Sequence, residues 1–235
     1  MTDQDWKEKE FVERYNGLYS PADADFTAAA GMLELCPGDF LADFGCGDGG
    51  FLEYASSMEL RAVGVDASPH QILKAREKLR SRAKVELINS SFLDFNPGTL
   101  VFTKGFSRKA LHHLDNGQKA VFFKNIGPAF RPGALFLLED GIFDFPRAEL
   151  ENRWVKLMSE AEKYYGTAWK AKRKDVEYCF RSEFPAGHGE WAAAMAAGGF
   201  KPLKRIRKCS FYGSILAVKS DSNRKQKKAS ECRRK

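Results

Sequence analysis

The chain has no run of about 18 apolar residues, so no segment reads as a membrane-spanning helix. Its opening, MTDQDWKEKEF, lacks the basic and apolar regions of a secretory leader. Cysteine is sparse: five residues (Cys36, Cys46, Cys179, Cys209, Cys232), odd in number, scattered and without a C-x-x-C pair. That pattern argues against a disulfide framework and a zinc site, leaves no metal expected, and fits a reducing, cytoplasmic setting. No internal repeat is visible. An excess of basic over acidic charge is also missing from most of the chain, although the net charge is +7. The segment Lys219–Lys235 holds eight basic residues against two acids, which accounts for +6 and leaves the remainder nearly neutral. Residues 220–235 therefore read as a basic, disordered tail; an RNA-attracting arm is the alternative.

A length of 235 residues with 43% hydrophobic and 29% charged residues suits one sizeable α/β domain, burying roughly 70% of its unfolded surface. Helices are expected over 3–16, where Trp6, Phe11, Val12 and Tyr15 recur at helical spacing, and over 22–35, before Pro37-Gly38. Strands are expected at 40–45, 61–66, 84–89, 99–105 and 134–141, alternating with helices; Ser68-Pro69 supplies an N-cap and a first-turn proline for one of them. This alternation predicts a parallel, doubly wound sheet whose strand-to-helix loops share one ligand-binding edge. Residues 142–187 break the pattern and read as mostly helical and rich in aromatics. A helix over 188–197 and two antiparallel strands, 200–207 and 210–219, close the fold.

The stretch LADFGCGDGG (41–50) satisfies G-x-G-x-x-G, which suits a dinucleotide. Asp43 opposes that reading, because two like charges at 4 Å and an effective dielectric near 20 repel by roughly 4 kcal/mol. S-adenosylmethionine has no phosphate; its ammonium suits Asp43, its carboxylate suits helix N–H groups, and its ribose hydroxyls suit Asp66. NAD wants the same acid at Asp66, so Asp43 is what separates the two.

These residues resemble the class I S-adenosylmethionine-dependent methyltransferases, in the branch of quinone-biosynthesis and small-molecule enzymes. LADFGCGDGG is similar to their motif I, AVGVDAS (62–68) to their ribose-binding motif, LHHLD (111–115) to the segment after the fourth strand, and RPGALFLLED to the fifth. GGFKPLKRIRKCSFYGSILAVK is similar to their terminal strand pair. The resemblance implies a Rossmann-like seven-stranded sheet with its last strand antiparallel, helices on both faces and a helical cap after the fifth strand. It implies S-adenosylmethionine as cofactor, held by Asp43, Gly45, Cys46, Gly47, Asp66 and Ala67. The family's adenine-binding acid is replaced by Ser91, with Asp94 the alternative, and Phe92 is placed to pack on the adenine. FSRKA (106–110) reads as an insertion. Lys104 is open between the cofactor's carboxylate and solvent. His112 and His113 are the candidate bases, or else pack the loop edge.

The domain is expected over 1–219, with 1–36 as a helical lid carrying Tyr15 and Tyr19 and 142–187 as the cap. The expected activity is methyl transfer to a small-molecule acceptor. An RNA methyltransferase using the tail, a non-catalytic cofactor-binding subunit and an NAD-dependent oxidoreductase are the rivals. Neither the acceptor nor the oligomeric state is legible.

Overall fold

A computed structural model describes residues 6, 8–19 and 23–221. The basic tail beyond residue 221, and residues 1–5, 7 and 20–22 of the expected lid, lie outside the described residues.

Strands β1 (Phe40–Phe44), β2 (Arg61–Asp66) and β4 (Phe102–Arg108) are buried along nearly their whole length. Such continuous burial needs cover on both faces, as in a parallel sheet. With β3 (Val85–Asn89) and β5 (Phe130–Asp140) they form the parallel part of a seven-stranded sheet. The two-residue strands β6 (Ile142–Phe143) and β7 (Ala186–Gly187) pair only with each other. β8 (Phe200–Arg207) and β9 (Gly213–Lys219) complete the large sheet in the order β3-β2-β1-β4-β5-β9-β8, with β9 antiparallel to both neighbours. The expected sheet, with its last strand antiparallel, is the one observed.

Two apolar layers cover the sheet. On one face α5 (Asn116–Ile126) and α8 (His188–Ala197) bury Phe122, Phe123, Trp191 and Met195 with Phe44 and Phe136. On the other α2 (Asp23–Leu33), α3 (Gly50–Ser56) and α4 (Pro69–Lys78) bury Ala29, Leu33, Leu52 and Ile72. Ser68 caps α4 ahead of Pro69, as its sequence demands. A reciprocal pair, Asp115 with Gln118, caps α5. A third cluster lies between β6 and β7, where α6 (Leu150–Tyr165) and α7 (Trp169–Ser182) gather Leu157, Val176 and Phe180 around Phe143 and Phe211. The helical reading of 142–187 thus stands, apart from these two short strands. Among the described residues no helix is long and apolar enough to cross a membrane.

Helix α1 (Lys9–Tyr19) spans the edge where β1, β2, β4 and β5 end. Asn16 exchanges two hydrogen bonds with Gln71 of α4, at 2.9 and 3.0 Å. Arg14 forms a fork with Asp175 of α7, also at 2.9 and 3.0 Å. One helix therefore ties the glycine-loop side of the molecule to the aromatic insertion.

The largest correction concerns β4, expected at 99–105 and found at Phe102–Arg108. Leu100 is held in a turn onto Pro97 after Gly98, which delays the strand. Phe106 and Ser107 then continue it, with Ser107 Oγ donating to Phe44 O at 2.8 Å. FSRKA is thus mostly strand and not an insertion. β5 likewise begins earlier than expected, because Phe130 already pairs with Phe102.

At the ends of α5 and α8 backbone meets backbone. A Cβ at Gly198 would lie 2.2 Å from Phe123 O, whereas one at Gly189 would meet nothing within 4 Å. Gly198→Ala should therefore destabilise the fold by about 1–3 kcal/mol through overpacking. Gly189→Ala should stabilise it by about 0.4–1 kcal/mol by restricting the unfolded chain. Urea denaturation of both variants checks the opposite signs.

Candidate functional site

The strand order reverses between β1 and β4, so their following loops diverge and leave a crevice. Gly45 opens the β1 loop with φ +78°, and a Cβ there would lie 2.3 Å from Ala110 Cβ. Only glycine lets the loop pass this close to the residues after β4. The loop is fastened to β2: the N–H groups of Gly45 and Cys46 donate to Val65 O at 2.8 and 3.1 Å. Asp66 accepts from Gly47 N at 2.9 Å and Ser68 N at 2.8 Å, which sets the carboxylate between the two loops.

The crevice is one groove with two arms. Asp43, Gly45, Cys46, Gly47 and Arg108 border the first. Asp66, Ala67, Ser91 and Phe92 border the second, a cavity of about 240 Å³. Tyr15 and Gln71 border both. The structure thus brings together every expected cofactor contact except Lys104. Asp94 is drawn away as the partner of Ser91 Oγ at 2.6 Å.

Lys104 requires a correction. It sits mid-strand, level with Leu41, and its ammonium donates to Leu33 O at 2.6 Å and Glu34 O at 3.2 Å. Those carbonyls end α2, where a cation meets the negative pole of the helix. The strand's three-residue shift carries Arg108 to the crevice instead. Arg108 Nε donates to Glu139 Oε2 at 2.5 Å and Nη2 to Asp25 O at 3.0 Å. Its buried Nη1 has no hydrogen-bond partner among the described residues. Burial pushes the Asp43 carboxyl up to about 8, with Arg108 opposing the rise and Asp66 adding to it.

A third cavity adjoins the groove through Tyr15 and Tyr19, beneath α7. Tyr165, Phe180, Phe211 and Tyr212 form its walls, and His112 and Asp140 its floor. His112 Nδ1 lies 2.5 Å from Asp140 Oδ1, and its Nε2 lies 3.3 Å from Glu183 Oε2. His113 Nδ1 lies 3.3 Å from the other Glu183 oxygen. Burial opposes charge on His112, but Asp140 and Cys179 outweigh it and raise its pKa well above the usual value. Burial and the neighbouring His112 lower that of His113. Burial alone would raise the Glu183 carboxyl, yet both histidines hold it well below its usual range. The cluster is an imidazolium between two carboxylates with a neutral imidazole beside it. Its three ligand-type atoms, from His112, His113 and Glu183, lie within 4.8 Å of one another.

Arg108, Lys109, Asp140 and Glu183 were missed in the sequence. Reading FSRKA as an insertion hid the first two. The Glu139-Asp140 pair ending the apolar run ALFLL was a usable signal, since buried strands place acids at their ends for a reason. Glu183 had none.

Residues 41–133 match the sequence model of a family described as a methyltransferase domain. A probable fatty acid methyltransferase of Pseudomonas putida is 25% identical over 130 residues, covering 54% of this chain and 33% of that protein. The cyclopropane synthase MmaA2 of Mycobacterium tuberculosis superposes with a TM-score of 0.65 at 19% identity, covering 87% of this chain and 77% of that one. Geranyl diphosphate C-methyltransferase of Streptomyces coelicolor A3(2), in complex with Mg2+, geranyl diphosphate and S-adenosyl-L-homocysteine, gives 0.63 at 17%, covering 84% and 79%. The chain spans from a third to just over half of the length of the curated relatives it matches. The sheet order, the glycine loop between β1 and α3 and these matches agree: residues 41–133 are similar to a methyltransferase domain, and the chain shares the fold of these solved structures.

Proposed function

We propose that this chain transfers the methyl group of S-adenosylmethionine to a small-molecule acceptor. The observation that carries the reading is the pairing of a buried carboxyl, Asp43, with a buried guanidinium nitrogen that lacks a partner, Arg108 Nη1. An amino acid end carrying both an ammonium and a carboxylate complements the two at once. A pyrophosphate complements only one. The relatives' names, a fatty acid methyltransferase among them, support a small acceptor.

In this reading Asp43 accepts from the ammonium and Arg108 Nη1 donates to the carboxylate. Asp66 accepts from the ribose hydroxyls, and Ala67, Ser91 and Phe92 border the base. Gly45, Cys46 and Gly47 supply backbone free of side-chain obstruction. When bound, S-adenosylmethionine supplies an electrophilic methyl group on a sulfonium sulfur. The chain's own task is alignment and exclusion of water, worth up to about 7–11 kcal/mol in favourable cases. Tyr15 and Tyr19, which border both groove and chamber, form the wall that does this. For an acceptor that must lose a proton, His112 and His113 are the candidate bases, the first bordering the chamber and the second the arm beside Asp66.

Calorimetric titration with S-adenosylmethionine, S-adenosylhomocysteine and NAD tests the cofactor. The first two should bind, and NAD binding in their place would end the proposal. Asp66→Ala should weaken S-adenosylhomocysteine about tenfold or more, the loss of a charge-assisted hydrogen bond; an unchanged affinity would remove the ribose assignment.

Asp43 adds a pH signature. Its proton leaves only as pH climbs through about 8, and the ammonium requires the ionised form. Affinity for S-adenosylhomocysteine should therefore rise from pH 6 to pH 8, with proton release seen as buffer-dependent binding heat. In the ligand-free protein the raised value has the opposite consequence. Ionising a buried acid costs stability, so stability falls as pH rises from the unfolded value of about 3.9 toward 8. Asp43→Asn should raise the melting temperature of the ligand-free protein at pH 8 while weakening the cofactor about tenfold or more.

A further inference from the structure

We propose that Lys109 anchors an anionic group on the methyl acceptor, so that the acceptor is an apolar or planar molecule bearing one carboxylate or phosphate. The proposal rests on the methyltransferase reading and specifies the substrate class of its aromatic chamber.

Lys109 borders both arms of the groove and the chamber, so its side chain stands where cofactor and acceptor must meet. Its backbone is in the left-handed region, φ +50°. Among the described non-glycine residues only Glu34 and Glu59 share that conformation, and both are exposed on the surface. A bulky residue held there is strained, and such strain persists where the surrounding structure imposes it. The imposing contact is Lys109 N donating to Glu139 O at 2.8 Å, directly after β4.

The ammonium lies between two phenol rings, 5.5 Å from the Tyr19 centroid and 5.7 Å from that of Tyr212. Among the described residues no oxygen accepts a hydrogen bond from it. The two carboxylates lining the chamber are already committed. Asp175 is gripped by Arg14 and by the Tyr19 hydroxyl at 3.2 Å. Asp140 accepts from the N–H groups of Leu111 and His112 as well as facing the His112 ring. A primary ammonium has three donors, so this half-buried one, with no acceptor among the described residues, has capacity for an anion.

Neighbouring cations extend the same field. Lys172 lies 4.6 Å from the Tyr19 centroid and 5.3 Å from that of Tyr165, and Lys208 lies 5.3 Å from that of Tyr212. Three lysines thus share three tyrosines around the chamber mouth. Burial first, then Arg108, Lys172 and Lys208, bring Lys109 down to about 8, with Asp25 opposing them. At neutral pH it is still mostly a cation, which suits an anchor and not a base. An incoming anion would relieve that repulsion, while the rings cover the apolar body of the same molecule.

The test uses the whole protein saturated with S-adenosylhomocysteine. Benzoate, phenyl phosphate and the neutral isostere benzamide are titrated by calorimetry. At least one anion should bind about tenfold more tightly than benzamide, the usual scale of one charge-assisted hydrogen bond. The tighter anion names the group, carboxylate or phosphate. Lys109→Met should abolish this preference and leave S-adenosylhomocysteine affinity within about twofold; Lys109→Arg should retain it. Equal affinities, or no binding of any of the three at millimolar concentration, overturn the proposal from the wild-type protein alone, even where the variants do not fold. A preference that survives Lys109→Met overturns it as well. Loss of S-adenosylhomocysteine binding in Lys109→Met assigns the lysine to the cofactor and also overturns it. Wild-type protein that never binds S-adenosylhomocysteine defeats the cofactor reading instead, and the same three titrations on the ligand-free protein then decide the anion site.

Discussion

The side-by-side parallel pairing of β1 and β4 is the constraint on which the rest of the site depends. Helices leave these two strands in opposite directions, so nothing covers the sheet edge between them. Four of the charged groups in the proposed site stand at strand ends along that uncovered edge. Asp43 ends β1, Asp66 ends β2, Arg108 ends β4 and Asp140 ends β5. Because the sheet is buried on both faces, these side chains meet low-dielectric surroundings on all sides but one. That is why Asp43 holds its proton toward about 8 and why His112 needs two carboxylates to remain charged.

The same edge must also be closed against water, and the sheet cannot do that alone. Helix α1 supplies one wall through Tyr15 and Tyr19, and α7 supplies another. The Arg14–Asp175 fork and the Asn16–Gln71 pair hold the first wall to both sides of the crevice. These links are polar and partly exposed, and each contributes modestly to holding the wall. The sheet beneath is held by interlocked phenyl rings such as Phe44 against Phe122 at 5.1 Å and 86°.

Charge in the site is arranged in pairs, with two notable gaps. Arg108 neutralises Glu139, His112 neutralises Asp140 and Glu183, and Arg14 neutralises Asp175. Among the described residues, one nitrogen of Arg108 and the ammonium of Lys109, neighbours in sequence that both border the groove, are left without a hydrogen-bond acceptor. In the proposed reading this single segment at the end of β4 serves cofactor and acceptor alike.

Much of this was legible in the sequence. Apolar runs ending in glycine, the Ser68-Pro69 cap and the Asp43–Asp66 spacing follow local rules that hold wherever the chain goes. They determined the sheet, the cofactor class and eight of the residues around the groove. Lys104 shows where local rules stop. A shift of three residues in β4, imposed by the turn at Gly98 and by pairing with β1 and β5, moved it to the far end of a helix and brought Arg108 and Lys109 to the site. Strand register is decided by neighbours distant in sequence, and no periodicity within VFTKGFSRK reports it. Asp175 reaches the chamber, and Glu183 the two histidines, only because α7 folds back over the sheet. The sequence by itself determined which kind of cofactor the chain is built to hold; the tertiary structure alone decided which charges face the aromatic chamber, because that depends on register and packing between segments far apart in the chain.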